Sequence, residues 1–207
     1  MRNLSKWLGA TVIAGFAAAC SIHAADANKW YFNADAGVNI IQDVTFKAPM
    51  IGHATASFDP GMRLDLSGGY KLSDSFALEI ESGFTYNQID KVGGHSAGSD
   101  NNLYQVPVLV NLAYSYAFND KWSVYASAGA GVGINTLDLK GAGSDTDCTF
   151  DYQASLGVKY AFSQNCAVGL GYKFLGTTDN DWKFHGVPMK SDAVFNHSIL
   201  LNFTYKF

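Results

Sequence analysis

Residues 122–135 read WSVYASAGAGVGIN. Trp122, Val124, Ala126, Ala128, Ala130, Val132 and Ile134 take alternate positions, with Ser123, Tyr125, Ser127, Gly129, Gly131, Gly133 and Asn135 between them. Successive side chains of a β-strand point to opposite faces, so this stretch has one apolar face and one polar or empty face. The pattern occurs in eight segments: 30–40, 62–72, 76–87, 104–118, 122–135, 150–162, 166–175 and about 194–207. This strict period of two, eight times over, dictates an all-β chain. Pro107 lies inside the fourth segment. It has no N–H to give a ladder, so it predicts a weak point or a bulge.

The connections separate a soluble sandwich from a closed sheet in lipid. Short ones, SDS (73–75), NDK (119–121) and SQN (163–165), alternate with long ones at 41–61, 88–103, 136–149 and 176–193. No Lys, Arg, Asp or Glu falls on any apolar face. Aromatic residues gather towards both ends of the segments: Trp30, Tyr116, Trp122 and Phe162 by the short turns, Phe84, Tyr104, Tyr152 and Phe174 by the long loops. Two aromatic belts around an aliphatic band match the two interfaces of a bilayer. Ten to fourteen residues at a rise of about 3.3 Å, tilted by about 40°, cover the roughly 25 Å apolar band. Eight is an even number, so the first and last strands can pair antiparallel and leave no open edge in lipid. The expected fold is therefore an eight-stranded antiparallel up-and-down transmembrane β-barrel with short periplasmic turns and four long extracellular loops, in a Gram-negative outer membrane.

Composition agrees. Only 15% of residues are charged and 14% are aromatic, with a mean hydropathy of 0.00. That is too polar for a helical membrane protein and poorer in charge than a soluble surface, where about 25% is usual. MRNLSK, a thirteen-residue apolar run (7–19) and the small residues that follow have the layout of a secretory signal peptide. Residues 1–24 are expected to be cleaved, leaving 25–207 as one barrel domain; cleavage after Ala27 is the alternative. AAAC (17–20) only weakly matches a lipidation site at Cys20. The remainder carries twelve basic and eighteen acidic residues, a net charge of −6. A nucleic-acid partner would require a basic face. Cys148 falls at the outer end of one strand and Cys166 at the inner start of the next, on the order of 40 Å apart along the strand. No disulfide is expected between them, since a bridge needs Cα atoms within about 7 Å.

The polar faces define the lumen. Arg63, Lys71, Lys159, Lys173 and Lys206 would face Asp35, Asp65, Glu79, Glu81 and Asp151 there, five against five, as an internally paired network. Lys71 and Glu79 should be diagonal neighbours across the SDS turn, and Asp35 and Lys206 should meet where the first and last strands close. Eight strands enclose a space that side chains can fill, so a structural plug is expected over a narrow pore. Nine inward glycines either make room for Tyr31, Tyr125 and the charged chains or open a small pocket.

Chemistry-bearing motifs are few. AGAGVGI (128–134) lacks nucleotide-loop spacing and sits within a strand, so no cofactor is expected. His197 and Ser198 are adjacent on a strand, point to opposite faces and cannot pair as base and nucleophile. His53, His95 and His185 lie in separate loops without ligand spacing, so no metal site is expected.

WYFNADAGV, LEIESGF, YQVPVLVNLAYSY, AVGLGYKF and the final YKF resemble the OmpA-like, or opacity-family, outer-membrane barrels over residues 28–207. The resemblance covers a barrel alone, with no peptidoglycan-binding domain expected. It implies that Phe203, Tyr205 and Phe207 form the signal read by the barrel-assembly machinery, and that the chain is a monomer in outer-membrane lipid. The expected role is structural or surface presentation, including adhesion. A narrow passive channel is the alternative, and a lipid-modifying enzyme, a class that also occurs among small barrels, comes third. The loop GTTDNDWKFHGVPMK (176–190) sets Trp182 and Phe184 among charges, either as contacts for an extracellular partner or as cover for the barrel mouth.

Overall fold

A computed structural model describes residues 29–49 and 52–207. The expected signal peptide, its cleavage site and Cys20 lie outside the described residues. The strands are β1 (Trp30–Ile41), β2 (Val44–Ala48), β3 (Gly52–Phe58), β4 (Gly61–Lys71), β5 (Phe76–Val92), β6 (His95–Ser96), β7 (Asn102–Ala117), β8 (Trp122–Leu139), β9 (Gly143–Ala161), β10 (Cys166–Thr177), β11 (Asn180–Phe184), β12 (Val187–Ser191) and β13 (Phe195–Lys206). Eight of them, β1, β4, β5, β7, β8, β9, β10 and β13, pair antiparallel in that order. β13 then pairs with β1, from Tyr31↔Lys206 to Ile41↔Asn196, and closes the barrel.

The apolar faces point outward. Leu201 is 69% exposed, whereas its neighbour Asn202 is 5% exposed. Ile199, Leu170, Leu156, Val132, Val110 and Ile80 lie bare on the same outer band. An uncovered band of this extent would not persist in water.

Short turns are fixed by their first residue. The Ser73 Oγ accepts the Phe76 N–H (3.1 Å), the Asn119 Oδ1 accepts the Trp122 N–H (2.9 Å), and the Ser163 Oγ accepts the Cys166 N–H (3.0 Å). Each polar side chain substitutes for the ladder bond that the turn lacks. The ladder between β5 and β7 pairs Ser82 with Val108, skips Gly83 and Phe84, and resumes at Thr85↔Gln105. Pro107 sits at that gap and keeps its place opposite Gly133 on the other side, the weak point its sequence position predicts.

The outer connections differ from the expected loops. β5, β8 and β9 run on past the band, so the expected loop 136–149 reduces to a turn at 140–142. Two of the other three long connections, 41–61 and 176–193, carry hairpins of their own, β2–β3 and β11–β12, joined at Lys190↔Lys47 and Ser191↔Phe46. The physical reason lies in the inward face. Above the band it changes from polar to apolar, and Ile41, Val44, Ala56, Ile89, Leu103, Leu137, Trp182 and Val194 form a buried core. A sheet with water outside and an apolar core inside is stable in solution, so the hairpins extend beyond the membrane.

Candidate functional site

The lumen is filled in layers. At its centre Lys173 Nζ lies 2.7 Å from Asp65 Oδ2, 2.9 Å from Glu81 Oε1 and 3.3 Å from Asp35 Oδ2. Arg63, fully buried, donates from Nε to Asp65 Oδ2 (2.8 Å) and from Nη2 to Gln153 Oε1 (3.1 Å), with Glu81 at 3.5 Å. Asn111 donates to Glu81 and accepts from Gln153. The inward parity of β1, β4, β5, β7, β9 and β10 brings these side chains to one level. Breaking such a buried set by removing one partner is far more costly than the set is stabilising.

The expected network of ten charges is therefore narrower than the sequence suggests. Two cations and three carboxylates join at the centre. Asp35 does not meet Lys206: the β1–β13 register sets Lys206 opposite Tyr31 and Asp35 opposite Asn202, which donates to it. Lys71 and Glu79 are diagonal, as Lys71 pairs with Ala77, but Glu79 accepts from Tyr31 Oη (2.7 Å) and Asn33 Nδ2 (3.1 Å) instead. Lys159 donates to Thr204 Oγ1 (2.9 Å) and Asn33 Oδ1 (3.2 Å). Lys71 and Lys206 lie at the periplasmic rim. Asp151 accepts from Thr149 (2.6 Å), while its Oδ2 and Arg63 Nη1 are both buried without a partner.

Above the charges lies an amide layer to which the sequence reading assigned no role. Asn39 donates to Asn87 (2.7 Å) and Asn196 (2.8 Å) and accepts from Ser198 (2.7 Å). Asn135 accepts from Gln105 (3.0 Å) and donates to Thr149 (2.7 Å) and Asn180 (2.9 Å). The signal was present, since most of these Asn residues occupy inward parity positions. Trp182 covers this layer. It is 1% exposed, donates from Nε1 to the Asn135 carbonyl (3.1 Å) and lies 6.0 Å from the Phe46 ring. Phe184 packs half-buried against the same core. Of the two readings open for Trp182, the structure takes the second: the residue belongs to the cover of the mouth.

Inward glycines make room. A Cβ at Gly69 would overlap the Tyr31 ring, and one at Gly171 the Tyr125 hydroxyl. Outside the barrel, His197 Nε2 accepts from Gln42 Nε2 (2.8 Å), its Nδ1 lies 2.6 Å from Tyr172 Oη, and the ring packs on Phe174. Ser198 faces the lumen, so the two residues are on opposite sides of the wall. Cys148 on β9 and Cys166 at the start of β10 are free and lie at opposite ends of the barrel. On the outer loops, the Lys140 ammonium, 2.9 Å from Asp100, holds that carboxyl below its ordinary range, by hydrogen bond first and by charge second.

The outer membrane protein beta-barrel domain family matches residues 12–207. No curated protein matches the chain. Among solved structures, the outer membrane protein OprG from Pseudomonas aeruginosa is similar at 15% identity and a TM-score of 0.62, covering 87% of this chain and 98% of its own. The outer membrane protein AlkL, solved in DMPC lipid bilayers, has 16% identity and a TM-score of 0.58, covering 90% and 94%. Neisserial surface protein A has 19% identity and a TM-score of 0.55, covering 86% and 97%. At these identities the likeness is one of fold. The chain belongs to the outer membrane protein beta-barrel domain family and is an integral β-barrel protein of the cell outer membrane.

Proposed function

We propose that this barrel is a non-conducting, non-enzymatic element of the outer membrane that presents a rigid extracellular β extension. The observation that carries this reading is the double closure of the lumen. Arg63, Asp65, Glu81 and Lys173 fill its centre, and the Trp182 core caps its mouth. An ion crossing this path would have to break the central ion pairs and open an apolar core. The separation of His197 from Ser198 supports the non-enzymatic part. Presentation rests on the exposed outer face of β11 and β12, where Asp181, Lys183 and Lys190 carry the charge.

A narrow passive pore is the second reading, favoured by one observation. Hydrogen-bonding side chains run from Lys159 through Thr204, Asn202, Asp35, Lys173 and Asp65 to Arg63 without a break. Recording from the protein in planar bilayers separates the two. No stable openings are expected from the wild type; discrete openings that change on Arg63→Gln or Glu81→Gln would establish the pore instead.

A further inference from the structure

At the periplasmic end the lumen opens into a vestibule of about 240 Å³. Lys71, Lys159 and Lys206 all line it. The strand registers bring them together: Lys206 stands opposite Tyr31, Tyr31 opposite Gly69, and Lys71 follows Gly69 by two on the same face. Lys159 enters from β9 and lies 4.8 Å over the Tyr125 ring.

Among the described residues none of these three ammonium groups forms an ion pair, although Glu79 lines the same vestibule. Among the described residues, Lys71 and Lys206 make no side-chain hydrogen bond or ion pair, and Lys159 binds only the neutral Asn33 and Thr204 besides the Tyr125 ring. An ammonium has three N–H donors, so the third of Lys159 is unassigned. The acids of the vestibule, Asp74, Glu79 and Asp120, are outnumbered by its lysines, Lys71, Lys121, Lys159 and Lys206. Glu79 is engaged by Tyr31 and Asn33, and Asp74 and Asp120 belong to the turns at the rim, beside Lys121. Three like charges converging in a cleft with low-dielectric walls focus a field that attracts an anion. Lysine acts as a mobile point charge on a flexible stem, which suits a compact ion with several oxygens. A volume of this size holds several waters, enough for a small anion with its nearest waters.

We propose that this vestibule is a periplasmic binding site for a small multivalent oxyanion of the phosphate class. The phosphate is either free in the periplasm or carried by an anionic lipid headgroup of the inner leaflet, and both present the same oxygens. Thr204 ties the site to the centre of the lumen. Its hydroxyl accepts from Lys159 and lies 2.9 Å from Asn202, which bonds Asp35.

The test is calorimetric titration of the full refolded chain with inorganic phosphate, at low salt in a zwitterionic detergent. One saturable site is expected, weakened at least about tenfold in the K71Q/K206Q variant. The K91Q/K140Q variant, altered only on the extracellular side, should bind as the wild type does. If the double vestibule variant does not fold, K71Q and K206Q singly should each weaken binding about threefold. Repeating the titration in nanodiscs separates the sources. Phosphate binding lost in phosphatidylglycerol discs but kept in phosphatidylcholine discs identifies the headgroup, and binding kept in both identifies the free ion. Absence of saturable binding, unchanged binding in the vestibule variants, or equal loss in K91Q/K140Q would overturn the proposal.

Discussion

Lys173 Nζ lies 2.7 Å from Asp65 Oδ2, although β13 and β1 stand between their strands. The contact spans the lumen and not a ladder. Replacing Lys173 with Met leaves Arg63 as the one cation of the central cluster, paired with Asp65 and Glu81, and removes the ion pair of Asp35. The expected loss is about 3–5 kcal/mol, the usual result of stranding a buried charge. Adding E81Q to K173M should recover part of it, because the second change removes one stranded carboxylate. Urea unfolding in lipid vesicles, followed by the mobility shift of folded barrels on gels, measures both variants. Equal stability of K173M and wild type would remove the central cluster from the account of why the lumen is closed.

The outer cap has its own centre in Trp182. Truncation to Ala removes the ring from a core that includes Ile89, Leu103, Leu137 and Val194. Truncating a buried Trp to Ala costs about 3–5 kcal/mol, and the loss should be confined to the extension, since the membrane ladders do not depend on that ring. Limited proteolysis should cut W182A within 176–193 much faster than wild type while the barrel survives. Cleavage rates that match would show that the ring does not hold the cap.

How much of this was legible in the sequence depends on which distances matter. The lipid face was legible because period two is a local property: Ile199 and Leu201 point out while Ser198 and Asn202 point in, whatever surrounds them. The partner of Asp35 was not. Contacts across the lumen depend on the stagger between strands around the barrel, which no single strand encodes; the closing register moved Lys206 four positions away from Asp35. The choice between surface and cover for Trp182 was open for a related reason. Its charged neighbours Asp181 and Lys183 read as a surface, yet in the short strand β11 they alternate with it and face water while the ring faces the core. The amides Asn39, Asn87 and Asn135 were visible as inward residues, but their joining into one layer again follows from stagger.

Gly69 and Tyr31 offer a test of packing in the lumen wall. A Cβ at Gly69 would overlap the Tyr31 ring, whose hydroxyl is held by Glu79. G69A is expected to destabilise the barrel by about 1–3 kcal/mol through overpacking. Removing the ring should relieve it, so Y31S/G69A should be more stable than the sum of the single changes predicts. A double-mutant cycle on urea midpoints reads this coupling. Strict additivity would mean that the ring moves aside freely and that Gly69 is not making room for it.

Phe207 separates assembly from stability. Its N–H donates to the Trp30 carbonyl (3.2 Å), and its ring stands edge-on to Tyr205 at 5.2 Å on the outer surface. Deleting it leaves the β1–β13 ladder intact from Tyr31↔Lys206 onward. The loss is one lipid-facing ring, about 2 kcal/mol or less by the area it covers. The chain lacking Phe207 should therefore refold in vesicles with an unfolding midpoint close to wild type. In cells, the reading of Phe203, Tyr205 and Phe207 as the signal for the assembly machinery predicts a several-fold drop in the amount inserted. Fractionation of the outer membrane, with the unfolded form counted in the periplasm, measures that drop. Normal insertion in cells would reduce Phe207 to an interface residue, and poor refolding without any machinery would make it a stability residue.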